Sequence, residues 1–559
     1  MRTKPFLVSL ALCGLTTLGL AAAQGDSPSP IQQARSLVFA RDFAAALPVL
    51  EQLVQNEPEN GGAWLLLGQA RVGLGEYDAA GPALDKAQSF APLRARALRE
   101  KLLAKAGKGD REGAAKLLDE ALEAGVGDLS GLHLRPELAS LAGDPRFGVL
   151  FPSGFDDPFV ERQAVVHDWR GEGPGHEFGW EARAAGDVDG DGAIDAVCTA
   201  PGNQPGADAS GLVYLYSGKS GELLWIDKGE PGDQLGLGVE SAGDVDADGR
   251  PDVIAGAPGV DRAIVYSGAT GLRLFTLSGS EDDAQSFGGN VSSAGDVDGD
   301  GHADLLVGAA AAAAGAGRVY VFSGRTGARL ASWEGAGAGD ALGATVAGAG
   351  RGAALLLVVG APGAGEGARG QVLVYRDLSG KPAFVIEADE TGAALGQMFV
   401  SVVGDVDADG VQDVYASDWA NGAKGPFTGR VYVHSGVDGR RLLTLTGEAP
   451  GDGFGIGPAR AGDVNGDGHA DLVVGAWQHR SAALSGGKIY VYSGKDGELL
   501  ESFTGKIPGE TLGFDADGLG DVDGDGRYDY LVTSAWSLIR GVRSGRALVV
   551  SGSVARSGG

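Results

Sequence analysis

The chain is predicted to be mostly β, a tandem array of seven units of four short strands each, preceded by an all-α helical-repeat domain. Three observations carry that prediction. A nine-residue pattern, Asp-x-Asp/Asn-x-Asp-Gly-x-x-Asp, recurs six times, about every 50–60 residues apart from one doubled interval. A Phe-Gly or Leu-Gly pair opens each of seven units, at Phe178, Leu235, Phe287, Leu342, Leu395, Phe454 and Leu512. Upstream of both, the sequence is rich in Ala and Leu at helical spacing and aligns with itself at a 34-residue period. Gly makes up 98 of 559 residues, without a collagen period and beside an ordinary 43% hydrophobic content. The excess Gly therefore belongs to many turns in a folded chain.

The elements follow in chain order. Arg2 and Lys4 precede an apolar stretch from Phe6 to Leu20, and Ala21, Ala22 and Ala23 follow it. Residues 1–23 thus read as an export signal with a small-residue cleavage site. The apolar run is short for a ~20-residue membrane span and lacks stop-transfer charges, so no span is expected after cleavage. The expected location is exported: secreted, periplasmic or at the cell surface. Cleavage leaves Cys198 as the one cysteine, so no internal disulfide staples the fold and metal is the obvious substitute cross-link. A formal charge of −29 argues against nucleic acid or an anionic membrane as partner.

Residues 31–129 form the helical region. Trp64, Leu67, Gly68, Tyr77, Ala80, Leu84, Ala87 and Pro92 fall in slots that Ala34, Leu37, Phe43, Ala46, Leu50, Leu53 and Pro58 fill one period earlier. This arrangement resembles two tetratricopeptide repeats and a degenerate third, in which stacked helix pairs bury faces that one pair leaves exposed. The resemblance implies a groove for a peptide partner, with a spacer role as the alternative. Residues 130–160, with four prolines between Pro136 and Pro158, read as a linker.

From residue 161 to 555 each unit runs through the Phe-Gly pair, the Asp pattern, an apolar strand ending in Gly-Ala-Pro or a variant, and an alternating strand ending in Ser-Gly. These marks, in this order, resemble FG-GAP repeats, the blades of the integrin α-subunit propeller. The resemblance implies a seven-bladed β-propeller. Residues 163–171 align with the fourth strands of other units, while the last unit has no fourth strand of its own. The N-terminal strand is therefore expected to complete the final blade and cover edges otherwise left open.

The six Asp patterns comprise Asp187, Asp189, Asp191 and Asp195; Asp244, Asp246, Asp248 and Asp252; Asp296, Asp298, Asp300 and Asp304; Asp405, Asp407, Asp409 and Asp413; Asp463, Asn465, Asp467 and Asp471; and Asp521, Asp523, Asp525 and Asp529. They hold 23 of the 74 acidic residues, so much of the charge is expected to be ligand rather than surface. Ca²⁺ accepts six to eight oxygens in irregular geometry. Positions 1, 3, 5 and 9 would supply side-chain oxygens and position 7 a backbone carbonyl. Position 6 is Gly in every copy, whereas position 7 is Ala193, Arg250, His302, Val411, His469 or Arg527. The position-7 side chain is therefore expected to be indifferent, and the two His to be turn residues. An EF-hand would need an acid at position 12, where Cys198, Ala255 and Val307 stand. About six structural Ca²⁺ sites are expected. The fourth unit has no acids between Ala347 and Leu355, so its blade is expected to be metal-free and held by its apolar strand alone.

In integrin relatives the Asp loops lie on one face and ligands bind the other, which implies a protein or glycan partner opposite calcium. Trp419, Trp477 and Trp536 fall in post-strand loops of units five to seven, with Lys424, Phe427, His479 and Arg480 near them. They either cap their own blades or mark a ligand patch. Catalytic signals are poor: His176-Glu177 lacks a second zinc-binding His, and Gly218-Lys219-Ser220 lacks the first Gly of a phosphate loop. A secreted interaction protein is the expected class. The alternative is a propeller enzyme, a polysaccharide lyase or a quinone-dependent dehydrogenase.

Overall fold

The computed structural model of the chain describes residues 29–124, 132–202, 209–279 and 284–555; the expected export signal lies outside them. Two compact units divide near residue 126, with Pro136–Leu141 returning to the first.

The first unit contains α1 (Pro30–Phe39), α2 (Phe43–Asn56), α3 (Gly61–Gly73), α4 (Tyr77–Gln88), α5 (Arg94–Gly107) and α6 (Arg111–Glu123). Ser29, Asp42, Asn60 and Asp110 each accept a first-turn N–H at the start of α1, α2, α3 and α6. These caps satisfy donors that a helix start leaves open. A Cβ at Gly73 would collide with the Phe43 ring, and one at Gly107 with the Tyr77 ring. Each member of the second pair lies 34 residues after its counterpart, so one large-on-small contact repeats between consecutive helix pairs. The core between them holds Ala34, Ala46, Leu50, Leu67 and Ala70.

The second unit is a seven-bladed β-propeller. Its inner strands, first to seventh blade, are Ala182–Gly186, Val239–Gly243, Asn290–Gly295, Val346–Ala349, Val400–Val403, the broken pair Phe454–Ile456 and Arg460–Gly462, and Ala516–Gly520. Three further antiparallel strands complete each blade. The inner strands of blades one to five touch in order, as do those of six, seven and one. Blade five meets Phe454–Ile456 through its second and third strands. The apolar clusters each draw on two adjoining blades, so burial holds the ring together rather than each blade alone.

The Phe-Gly pair is the joint between blades. Leu235 of blade two bridges Gly211 of blade one, while Gly236 donates its N–H to Gly256 of its own second strand at 2.8 Å. Gly236 sits at φ +84°, and a Cβ there would press within 2.9 Å of Thr199, so Gly is required twice over. Blade seven takes Val165–Arg170 as its outer strand, paired antiparallel with Arg546–Ala555. Arg546, 1% exposed, bonds Asp168 of that strand at 2.9 Å, Glu510 at 3.2 Å and the Phe155 carbonyl at 2.7 Å.

Candidate metal centres

Each Asp pattern is the turn between the first and second strands of its blade. Position 6 has φ between +86° and +91° in all six loops, with open space where a Cβ would stand, so conformation rather than room selects Gly. In blade one, Asp187 accepts the N–H groups of Gly190, Asp191 and Gly192 at 2.7–3.0 Å. Asp189 and Asp191 each accept the N–H two residues on, at 3.0 and 2.9 Å. Buried Asp195 takes the Val188 N–H at 2.8 Å and, from the next hairpin, the Gly218 N–H at 3.0 Å. The position-9 bond to the position-2 Val recurs in every loop, at 2.7–2.9 Å.

These bonds aim the carboxylates at one another. Among the described residues, five loops bring three carboxylate oxygens within 4.8 Å: Asp187, Asp189 and Asp195; Asp244, Asp246 and Asp248; Asp296, Asp298 and Asp300; Asp405, Asp407 and Asp413; Asp521, Asp523 and Asp529. In the blade-six loop Asn465 replaces one carboxylate with an amide oxygen. Burial pushes the position-9 carboxyls of Asp195, Asp252, Asp413 and Asp529 up to about 6, against the downward pull of their N–H donors. The donor set fits a hard divalent cation: all oxygen, mutually repelling, and without the His or Cys that zinc favours. In blade seven, Asp529 Oδ1, the oxygen that takes the Ser-Gly N–H in the other five loops, is buried without a hydrogen-bond partner among the described residues.

The model for the FG-GAP repeat matches residues 239–271 and 287–322, and that for the FG-GAP-like repeat matches residues 463–532. The propeller contains FG-GAP repeats. The tetratricopeptide repeat model matches residues 31–95. The chain is 31% identical to integrin alpha-6 of Gallus gallus over 156 residues, 26% of this chain and 14% of that protein. It is 36% identical to integrin alpha-V of Gallus gallus over 107 residues, 17% of this chain and 10% of that protein. To integrin alpha-2 of Mus musculus it is 28% identical over 202 residues, 33% of this chain. The matched stretch spans at most 16% of the length of these three relatives.

Two expectations about the FG-GAP propeller need correction. The position-7 side chain is not indifferent. Arg250 donates to the Val188 carbonyl at 2.8 Å, His302 Nδ1 lies 2.7 Å from the Val245 carbonyl, and His469 Nδ1 lies 2.8 Å from the Val406 carbonyl. Each reaches the position-2 carbonyl of the preceding blade's Asp loop. Nor is blade four held by its apolar strand alone. Arg376 donates to Ala353 at the acid-free turn and to Gly436 and Val437 of blade five. In blades one, two, three, five and six this slot is Ser-Gly, with the Gly N–H on the position-9 Asp (Gly218 on Asp195, Gly268 on Asp252). Blade four has Leu355 for that Asp and Arg376-Asp377 for Ser-Gly, so the two substitutions go together.

Strands alternate in direction within a blade, so the Asp loops share one end with the third-to-fourth turns and the loops after the second strands lie at the other. The three Trp of those loops do not form one patch. Trp477 and Trp536 are in contact at 4.9 Å between centroids and pack with Phe514, itself 5.4 Å from Trp180; each of the two Trp is 6% exposed. Trp419 instead stacks at 5.5 Å on Phe427, which is 38% exposed. His479 is buried beside Asp452, while Lys424 and Arg480 donate to the Gly447 and Pro450 carbonyls.

One cluster has no signature in the sequence. Arg183 pairs with Asp515 and, at 3.5 Å, with Glu181 and Glu240; Arg460 pairs with Glu240 at 3.1 Å and Asp517 at 2.6 Å. These groups lie on or beside the inner strands of blades one, two, six and seven and tie that side of the ring together. Burial pushes Glu181 up to about 7, against the pull of Arg183.

Proposed function

We propose that the chain is an exported interaction protein of adhesion type, its blades stiffened by Ca²⁺ and its opposite face open to a protein or glycan. The calcium reading is carried by one all-oxygen donor set recurring at the same place in blade after blade. The position 1, 3, 5 and 9 side chains would hold the ion, with Asn465 giving an amide oxygen in blade six and the position-7 carbonyl completing the set. Bound calcium neutralises the clustered carboxylates and cross-links the turn, a structural service that stabilises the fold by mass action. Similarity to integrin alpha chains supports the adhesion reading, and on the opposite face exposed Phe427 stacks on half-buried Trp419. The helical unit would hold a peptide or act as a spacer.

Calorimetric titration tests the metal: about six Ca²⁺ per chain support the reading, and no binding overturns it. For the partner, calcium-dependent capture from the native extracellular setting should be lost with Trp419→Ala and Phe427→Ala together. Capture unchanged by both substitutions places the partner elsewhere.

An enzymatic reading has one observation in its favour. Ser481 Oγ lies 2.8 Å from His479 Nε2, and His479 Nδ1 lies 3.2 Å from Asp452 Oδ1, the order of an acyl-transfer triad. Asp452 also caps the Glu448 and Ala449 N–H groups at 2.9 and 2.7 Å, as Asp233 and Asp340 cap equivalent turns that lack the other two residues. That structural duty ranks the binding reading first. Fluorophosphonate labelling abolished by Ser481→Ala would reverse the order.

A further inference from the structure

We infer that the Asp loops bind calcium not as six independent sites but in coupled runs, blades one to three and blades five to six, linked by Arg250, His302 and His469. The inference rests on the calcium reading and concerns side chains that are not themselves offered to the metal.

Each link joins one loop's position 7 to the preceding loop. The backbone carbonyl of position 7 is the group offered to the ion, while its side chain bonds the position-2 carbonyl one blade back, at 2.7–2.8 Å. A carbonyl only accepts, so His302 and His469 carry hydrogen on Nδ1. Blades three and six add a second bond beside the first. The Ala303 N–H donates to the Asp244 carbonyl, and the Ala470 N–H to the Asp405 carbonyl, both at 2.9 Å. Pro251 fills that slot in blade two and has no N–H, so Arg250 acts there alone. A third contact lies beneath. The position-2 Val188, Val245 and Val406 reach the Gly of the next blade's Ser-Gly turn, where a Cβ on Gly268, Gly324 or Gly494 would meet them at 3.1–3.3 Å. The N–H groups of those three Gly are held by the next blade's position-9 Asp252, Asp304 and Asp471 at 2.9 Å.

A loop drawn onto an ion fixes its position-7 backbone, and with it the donor that braces the loop behind. The braced loop then needs less ordering to take its own ion, and thermodynamic linkage makes the assistance mutual. The runs end where the chemistry ends. Ala193 and Val411 carry no side-chain donor, and blade four has no Asp loop to pass the effect on. Among the described residues Arg527 of blade seven makes no such bond, which makes that loop an internal control.

The test uses the full chain, with calcium occupancy followed loop by loop through hydrogen–deuterium exchange against free Ca²⁺. Asp246→Ala with Asp248→Ala empties blade two. This should weaken binding in blade three by about threefold to tenfold and leave blades five to seven unchanged. With His302→Ala added, the effect of emptying blade two on blade three should shrink to the part that the Ala303 N–H bond carries; with His302→Arg, which copies Arg250, the full effect should return. Arg527→Ala should leave the blade-six affinity unchanged. The inference is overturned if emptying blade two has no effect on blade three, or has the same effect with His302→Ala. Absence of calcium protection in every native loop would instead overturn the calcium reading itself.

Discussion

Asp248 and Asp252 stand four residues apart in the blade-two loop, yet one is exposed and the other is buried against the N–H groups of Val245, Asp246 and Gly268 at 2.8–3.2 Å. Asp248→Ala should remove one Ca²⁺ from the stoichiometry and change stability in chelator by no more than about 0.5 kcal/mol. Asp252→Ala strands buried donors and should cost about 2–4 kcal/mol in denaturant unfolding even in chelator. The two substitutions thus separate ligand from scaffold within one loop. Acidity gives a second contrast. The carboxyls of Asp195, Asp252, Asp413 and Asp529 lie near 6 and Glu181 near 7, above their unfolded values. Between about pH 4 and 7 the folded apo chain therefore binds more protons than the unfolded one, and its stability is lost as pH rises through that window. Saturating Ca²⁺ holds the same Asp groups ionised, so protons compete with the metal and stability is lost as pH falls. Melting temperatures at pH 5.5 and 7.5 should change in opposite directions with calcium and with chelator; parallel trends would contradict the assignment.

At the scale of the element, blade four shows how a propeller manages without an Asp loop. Its second strand Leu356–Ala361 is fully buried, and the Arg376 guanidinium gathers carbonyls from the acid-free turn and from blade five. Arg376→Ala should cost about 1.5–3 kcal/mol, equally with calcium and with chelator, in denaturant titration. A loss seen only with calcium would mean that the Arg works through blade five's loop instead. Much of this level was legible in sequence. Strand spacing, the Phe-Gly joints and the missing acids of blade four are local marks repeated at a fixed interval. Arg376 was not legible as a tether, because nothing beside it in sequence names Gly436, 60 residues away.

At the scale of the molecule, closure and the axial salt bridges decide whether seven blades behave as one body. Asp168 anchors the closing strand to Arg546, which is buried beside Glu510. Asp168→Ala leaves that guanidinium with one of its two acidic partners and should lower propeller stability by about 3–5 kcal/mol. Hydrogen exchange should show the loss spread around the ring, since each apolar cluster is shared by neighbours. Loss confined to blade seven would mean that the blades melt singly.

The amino-acid sequence by itself determined what short-range chemistry can determine. Nine residues suffice to write a turn with converging carboxylates, two to write a blade joint, and a 34-residue period to write stacked helices. Only the tertiary structure decided what those repeats do to one another. Arg183 meets Asp515 across 332 positions of chain, His302 meets Val245 across 57, and Trp477 leaves Trp419 to pack with Trp536. Partners so distant are chosen by the closing of the ring, which brings strand ends together whatever their separation along the chain. The local pattern at His302 or Arg183 is the same whether or not a neighbour waits there.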